Sequence, residues 1–245
     1  MPVQLYVLDG GRIDILDWSI YNPAAPAGTR RTLATPVYLV VHPDGTLVWD
    51  TGLGDELVGR EPLLVEDHAL FQVTDTVASQ LASVGHPAEG IDYLGLSHVH
   101  VDHAGNVGLF TGSTLLIQRE EYEAARATDE PSSLAKLPVT LLSGDHDMFG
   151  DGSVVVKRLP GHTIGHQALL VELEQTGAVL LSGDVTHSLD SWRTNAIPTF
   201  NHDVAESERS LAQAREILDR HRASLWIQHD LDQYLGLRKV PEHYA

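Results

Sequence analysis

The chain has 245 residues and a mass of 26.7 kDa, with 42% hydrophobic and 20% charged residues, a composition typical of folded proteins. Its 34 acidic residues outnumber 16 lysines and arginines, and the formal charge of −18 argues against a nucleic-acid partner or an anionic membrane. Cysteine is absent, which excludes disulfides, thiolate nucleophiles and sulfur ligands. Any metal ion must therefore be held by nitrogen and oxygen.

The sequence shows neither a domain boundary nor a membrane signal. It contains no internal repeat and no Ser- or Gly-rich linker, so we expect a single domain over residues 1–245. The longest clean apolar run, residues 37–41, is far shorter than the about 20 residues that cross a bilayer, and no basic segment precedes an apolar stretch near Pro2. We therefore expect a cytoplasmic protein with no membrane partner.

Short strands are predicted along the whole chain. Asp9-Gly10-Gly11 is typical of a hairpin turn between the first two strands, and Pro43-Asp44-Gly45 of a turn between the next two. Residues 21–32, with two prolines, predict a surface loop. The predicted strands are 4–8, 12–16, 37–41, 46–49, 91–96, 154–159, 167–172, 178–181 and 224–227.

Helical periodicity is found in three segments. Residues 74–84 carry an apolar face that ends near Gly85, and residues 120–127 predict a short helix. Asp203 and Glu206 have capping-box spacing, and the apolar stripe that follows predicts a long helix to about Arg222. Hairpins early in the chain and helix-separated strands later predict an α/β sandwich whose strand-end loops share one edge.

A histidine motif follows the predicted strand 91–96. His98, His100, Asp102 and His103 form H-x-H-x-D-H, in which positions 98 and 100 project to the same side of an extended chain. Further candidate ligands follow three later strands, at His162, Asp184 and His229. This inventory fits two neighbouring metal ions with a bridging carboxylate.

These motifs resemble the metallo-beta-lactamase superfamily, from Asp50-Thr51-Gly52 to His229. The resemblance implies an αββα four-layer sandwich with a metal centre at one edge. It implies two divalent metal ions, with zinc favoured and iron, manganese and cobalt as alternatives. The implied ligands are His98, His100 and His162 for the first ion, Asp102, His103 and His229 for the second, and Asp184 as the bridge.

The remaining histidines and Asp50 are expected to lie outside the ligand set. The resemblance implies that Asp50 accepts hydrogen bonds from the histidine loop, and His166 is expected to hydrogen-bond within the fold. Ordinary solvated side chains are expected for the others, which are His42, His68, His86, His146, His202, His221 and His243.

Two segments resemble the N-acyl homoserine lactonase group within the superfamily. They are residues 159–167, Leu-Pro-Gly-His-Thr-Ile-Gly-His-Gln, and residues 240–244, Val-Pro-Glu-His-Tyr. The chain departs from the group at His187, three residues after Asp184, where many of these lactonases have Tyr. We expect His187 to donate a hydrogen bond to the substrate carbonyl in place of the phenol, the alternatives being a further metal ligand or a bystander.

The resemblance implies a hydrolase that opens a small-molecule lactone, with N-acyl homoserine lactone, the substrate in quorum quenching, favoured. A hydroxide between the two ions would attack the ring carbonyl, and Asp102 would relay a proton to the leaving alkoxide. Alternatives are hydrolysis of another lactone, an ester or an organophosphate, a mononuclear iron persulfide dioxygenase, and a non-enzymatic metal-binding protein. A homodimer is left open.

Apolar residues in the loops before residue 74 are candidates for an acyl-binding wall. Local packing against the sandwich is the alternative for them. These residues are Trp18, Ile20, Leu63, Leu64 and Phe71.

Overall fold

The computed structural model describes residues 2–128 and 134–245. The strands are β1 (Gln4–Ile15), β2 (Arg31–His42), β3 (Gly45–Trp49), β4 (Leu63–Val65), β5 (Ala69–Gln72), β6 (Tyr93–Gly95), β7 (Thr114–Gln118), β8 (Val139–Leu142), β9 (His146–Asp147), β10 (Val154–Arg158), β11 (Gln167–Leu173), β12 (Gly177–Leu181), β13 (Ser224–Trp226) and β14 (His243–Tyr244). The α-helices are α1 (Val77–Ser83), α2 (Val101–Ala104), α3 (Arg119–Thr128), α4 (Leu189–Thr194), α5 (Val204–His221) and α6 (Leu231–Gly236).

The strands form two mixed sheets. The first has the order β4-β5-β1-β2-β3-β6-β7-β8, with β14 paired to β1, and the second has the order β13-β12-β11-β10-β9. Strands β3, β6 and β7 are parallel, as are β12 and β13. The loops that follow β3, β6, β10, β12 and β13 gather at one edge of the molecule, where the candidate site lies.

The two sheets pack against each other, and helices cover the outer face of each sheet, which gives four layers. In β2, Val37 and Leu39 pack in the core beneath α1 and α3, whereas Tyr38 and Val40 pack in the core between the sheets. Successive side chains of a strand point to opposite faces, so a continuous apolar run is what a doubly covered strand requires. Ala214 and Ile217 of α5 cover the outer face of the second sheet. The predicted αββα sandwich is confirmed.

The predicted hairpin at Asp9-Gly10-Gly11 is wrong. Residues 4–8 and 12–16 belong largely to one strand, β1, which pairs with β2 on both sides of an irregularity between Asp9 and Arg12. A Cβ atom on Gly10 would lie 2.3 Å from the carbonyl oxygen of Thr35 and 2.8 Å from the Cα atom of Gly52. The glycines therefore serve a β-bulge that brings two backbone segments together, not a chain reversal.

The other predicted elements are present with shifted ends, but several elements were not predicted. The second hairpin is confirmed, because β2 and β3 pair from His42 opposite Gly45. Strand β2 begins at Arg31, inside the predicted loop 21–32. The elements that were not predicted are β4, β5, β7, β8, β9, β14, α4 and α6. The Asp203 carboxylate accepts from the Glu206 N–H at 2.7 Å, as the capping-box spacing indicates. None of the described helices has the length and apolar character needed to cross a bilayer.

Candidate metal centre

Four strand ends bring seven histidine and aspartate side chains together. The segment after β6 carries His98, His100, Asp102 and His103, and its turn into α2 swings the last two toward the interior. His162, Asp184 and His229 follow β10, β12 and β13. All seven sequence-predicted ligands therefore meet at one place, in two clusters whose donor atoms lie within 4.8 Å of one another.

The first cluster consists of His98, His100, His162 and Asp184. The His100 Nδ1 atom lies 2.9 Å from His98 Nε2 and 3.1 Å from His162 Nε2. The His100 Nδ1 atom carries either one proton or one lone pair, so it cannot form good hydrogen bonds with both neighbouring nitrogens. Such convergence is the arrangement that a cation requires.

The second cluster consists of Asp102, His103 and His229. The Asp102 carboxylate lies 3.7 Å from His103 Nε2 and 3.5 Å from His229 Nε2. His103 and His229 are fully buried, whereas Asp102 faces the cavity. The second cluster can therefore hold a cation on the side that faces the cavity.

Asp184 contacts both clusters through different oxygens. Its Oδ2 atom lies 3.3 Å from His162 Nε2 and 3.8 Å from His98 Nε2. Its Oδ1 atom lies 3.0 Å from His229 Nε2 and 3.3 Å from His103 Nε2. This division is what a carboxylate that bridges two cations needs.

Hydrogen bonds on the far side of the rings fix their orientation. His103 Nδ1 lies 2.9 Å from the Asp50 carboxylate, which also accepts from the Ser97 N–H at 2.7 Å. His229 Nδ1 is 2.8 Å from the Ala34 carbonyl oxygen, and His162 Nδ1 is 3.0 Å from Asn201 Oδ1. A ring that donates from Nδ1 presents an unprotonated Nε2, so these contacts prepare the Nε2 atoms as ligands.

The electrostatics of the cluster favour a positive charge. Burial lowers the pKa of His98 and of His162 well below 6.5, so both rings stay neutral. Burial also opposes the charged form of Asp184, but the surrounding histidines outweigh burial and hold its pKa well below 3.8. Carboxylates outweigh burial at the second cluster and raise the pKa of His103 and of His229 above 6.5. A divalent cation at these two nitrogens would therefore displace protons as it binds, whereas His98 and His162 are already neutral.

Unpartnered buried atoms support the same conclusion. His103 Nε2 and Asp184 Oδ1 are buried and have no hydrogen-bond partner among the described residues. Leaving such groups without a partner costs about 1 to 3 kcal/mol each, and more when a charge is involved. The donor set therefore fits divalent metal ions held by nitrogen and oxygen.

His187 lies within this cluster. Its Nε2 atom is 3.1 Å from Asp184 Oδ2, and its ring stacks on that of His229 at 5.5 Å. The Nδ1 atom of the ring is buried and lacks a hydrogen-bond partner among the described residues. Asp184, His187 and His229 form a third group of candidate ligands. His187 therefore lies beside the candidate ligands, and its position is compatible with ligation as well as with donation.

The histidines expected outside the ligand set divide into two kinds. His166 has the expected role within the fold, since Nδ1 bonds the Leu159 carbonyl oxygen at 2.8 Å and Nε2 accepts from the Asp184 N–H at 2.7 Å. The expectation of a solvated ring is wrong for His42, which is buried, stacks on Phe149 at 3.9 Å and lies 3.1 Å from the Asp151 carboxylate. Its surroundings come from strands that are distant in sequence.

A cavity of about 620 Å³ opens onto the cluster at His100 and Asp102. Ile20 and Phe71 line it, as predicted for an acyl-binding wall. Trp18 does not, because it is buried against the N-terminal part of the first sheet. Leu63 lines an adjoining cavity of about 450 Å³ that also contacts Phe71. Leu64 lines neither of these two cavities and is 50% exposed.

Sequence reasoning missed three residues that shape the site. Buried Glu121 accepts from the Val99 N–H at 3.2 Å and from the Gly165 N–H at 2.9 Å, which ties the histidine loop to the turn of His162. Asn201 orients His162, and Tyr21 lines the cavity. The available signals were a Glu on the apolar face of a predicted helix and an aromatic residue in a Pro-containing loop.

Comparison with known proteins agrees with the geometry. The family described as "Metallo-beta-lactamase superfamily" matches residues 30–222. The chain therefore belongs to the metallo-beta-lactamase superfamily.

Within the superfamily its relatives are named lactonases. The chain is 31% identical to the N-acyl homoserine lactonase AiiA of Bacillus thuringiensis subsp. kurstaki over 98% of both chains, and 29% identical to the N-acyl homoserine lactonase AttM of Rhizobium radiobacter over 99% of both. A solved structure of an N-acyl homoserine lactone hydrolase superposes with a TM-score of 0.88 at 30% identity, over 99% of this chain and 100% of the other. That structure holds N-hexanoyl-L-homoserine at its catalytic metal centre.

Proposed function

We propose that this protein is a metal-dependent hydrolase that opens the ring of N-acyl homoserine lactones. The observation that carries the proposal is a pair of His/Asp clusters joined by Asp184 at the base of a partly apolar cavity. The relatives that match nearly the whole chain are named for this reaction. A polar reacting centre beside an apolar wall suits a substrate with a lactone ring and an acyl chain.

We assign the side chains as the sequence motifs indicate. His98, His100 and His162 would hold one ion, Asp102, His103 and His229 the other, and Asp184 would contact both. The converging nitrogens and the two-sided contacts of Asp184 support this assignment. Two divalent ions, with zinc favoured over iron, manganese or cobalt, would complete the centre.

Divalent ions at these ligands would lower the pKa of a water molecule and polarise the lactone carbonyl. The side chains of the chain then have defined tasks. Asp50, Asn201 and the Ala34 carbonyl hold the imidazoles so that their Nε2 atoms point inward. Asp102, at the cavity surface, can pass a proton to the alkoxide that leaves when the ring C–O bond breaks.

The acyl chain would lie along the apolar side of the cavity. Ile13, Ile20, Val65 and Phe71 line that side. Phe71 also borders the adjoining cavity lined by Leu63, which gives a longer chain a place to continue. The lining therefore supports an acylated lactone as the substrate.

The test is a substrate panel on protein of measured metal content. A pH-indicator assay should detect proton release with N-acyl homoserine lactones, should lose it after treatment with a chelator, and should recover it with added divalent metal. Phenyl acetate and a phosphate triester serve as competing substrates. A background rate with every lactone, or oxygen consumption with a persulfide by protein holding one iron per chain, would overturn the proposal.

We further propose that residues 1–245 act as one catalytic domain in the cytoplasm. Strand β14, near the C-terminus, pairs with β1, and the ligands come from segments spread over residues 98–229, which supports a single catalytic unit. The match to the N-acyl homoserine lactonase of a Bacillus species covers 98% of both chains. Measurement of the mass in solution decides between a monomer and a homodimer.

A further inference from the structure

The aromatic ring of Tyr21 is held in a fixed position at the wall of the cavity. It stacks on Trp18 with ring centroids 4.9 Å apart and an angle of 3° between the planes. Trp18 is itself buried and is covered by the Arg31 guanidinium at 4.8 Å. The Tyr21 N–H bonds the Trp18 carbonyl oxygen at 3.0 Å, so backbone and ring are fixed together. A ring held in this way keeps its hydroxyl in one region of the cavity.

The other side of the ring faces the reacting centre. Tyr21 meets His187 edge-on at a centroid distance of 5.2 Å and Phe200 edge-on at 5.0 Å. The Thr199 N–H donates to the Ile20 carbonyl oxygen at 2.9 Å, which ties the turn of Tyr21 to the segment that carries Phe200. Tyr21, His100 and Asp102 line the same cavity. The phenol therefore belongs to the wall nearest the candidate ligands.

The hydroxyl is available to a ligand. No described side chain or backbone group is hydrogen-bonded to it. The ordinary pKa of a tyrosine phenol is about 10. The phenol is therefore a hydrogen-bond donor at neutral pH, in a cavity where a carbonyl oxygen gains negative charge during hydrolysis.

We propose that Tyr21 is a catalytic residue whose hydroxyl donates a hydrogen bond to the ring carbonyl oxygen of the lactone. The inference rests on the proposed function, and it deepens that function by adding a residue from the N-terminal turn. The oxyanion that forms from the carbonyl has three lone pairs, so a hydrogen bond from Tyr21 is compatible with polarisation by an ion and with either role of His187.

The test is the variant Tyr21→Phe, which removes the hydroxyl and keeps the ring. We expect kcat to fall about 10²-fold, with KM changed less than about threefold, because loss of one donor to a developing oxyanion typically has this effect. Metal content and thermal midpoint should stay at wild-type values. Tyr122→Phe, on α3 and outside the cavity, is the matched control and should leave both kinetic constants unchanged.

A second substrate identifies the oxygen that Tyr21 contacts. γ-Butyrolactone has the ring carbonyl but no acyl amide, so Tyr21→Phe should reduce kcat/KM by the same factor on it as on N-hexanoyl homoserine lactone. A loss confined to KM, or seen only with the acylated substrate, would overturn the catalytic role. Unchanged kinetics in an active protein would also overturn it. Wild-type protein inactive on every lactone would instead overturn the proposed function.

Discussion

Asp184 divides its two carboxylate oxygens between two groups of side chains, with His162 on one side and His229 on the other. The backbone N–H of Asp184 donates to His166 Nε2 at 2.7 Å, and its neighbour Gly183 has a positive φ of 51°. A Cβ atom on Gly183 would lie 2.6 Å from His166 Nε2. The backbone at Gly183 and the ring of His166 therefore fix Asp184 in one orientation. Because each of its oxygens faces a different cluster, substitutions in the two clusters should affect different ions.

The separation of the two clusters predicts different metal losses in two variants. Asp184→Ala should lower the occupancy of both ions, because one oxygen faces each cluster. His229→Ala should lower mainly the occupancy of one ion, since the His229 Nε2 atom lies beside Asp102 in the second cluster. Elemental analysis of protein purified without chelator measures both. His86→Ala, a position outside every group of candidate ligands, is the control, and equal loss of both ions in His229→Ala would contradict the assignment.

His187 gives a second prediction at this scale, because donation and ligation have different signatures. If the ring donates to the carbonyl oxygen, His187→Ala should reduce turnover about 10²-fold with the metal content intact, and His187→Tyr should recover much of the loss. We favour this outcome. Loss of metal in the Ala variant would identify His187 as a ligand instead, and unchanged kinetics with unchanged metal would make it a bystander.

The segment after β6 carries four of the seven candidate ligands, and its path depends on neighbouring elements. Asp50, after β3, has a positive φ of 56° and accepts from the Ser97 N–H. Glu121, on α3, binds the N–H groups of Val99 and Gly165. Carboxylates from two other segments therefore hold the backbone of the histidine loop, at Ser97 and at Val99.

Glu121 predicts a large effect on stability for a residue that touches no candidate ligand atom. Glu121→Ala would leave the N–H groups of Val99 and Gly165 without a partner, and we expect a loss of about 2 kcal/mol or more in the free energy of unfolding. Urea titration of the metal-loaded protein measures it. Glu123→Ala, on the exposed side of the same helix, should change stability by less than about 0.5 kcal/mol. Equal midpoints for the two variants would refute this role.

Across the whole molecule, features encoded in short sequence motifs could be predicted, whereas features that depend on contacts between distant residues could not. The seven candidate ligands could be named because each lies in a short motif at a strand end. Gly10 was wrongly assigned to a hairpin turn. Glycine is required there because the backbone comes close to Thr35 and Gly52, which are distant in sequence. Tyr21 and Asn201 were missed for the same reason, since they reach the site from the N-terminal turn and from the segment before α5. Short unpredicted strands such as β4 depend on pairing with a neighbour.

Removal of metal should destabilise the whole fold. The candidate ligands come from both sheets, so bound ions join the two halves of the sandwich, and binding to the folded state alone adds about 2.7 kcal/mol per ion at a free concentration of one hundred times Kd. We expect a lower urea midpoint after chelation and recovery with added divalent metal. Asp184→Asn serves as the comparison, and its midpoint should respond much less. Identical midpoints for treated and untreated wild type would contradict the prediction.

The pairing of β14 with β1 has a mechanical consequence. Leu5 lies opposite Tyr244 in an antiparallel register, so the two ends of the chain leave this pair on the same side. A force that pulls the ends apart would open its hydrogen bonds one after another, as in a zipper, instead of loading them together. The Ala245 carbonyl oxygen, which accepts from the N–H groups of Gln175 and Thr176, would be released in the same event. Force spectroscopy through the two termini should therefore record an early, weak step before the sandwich itself yields.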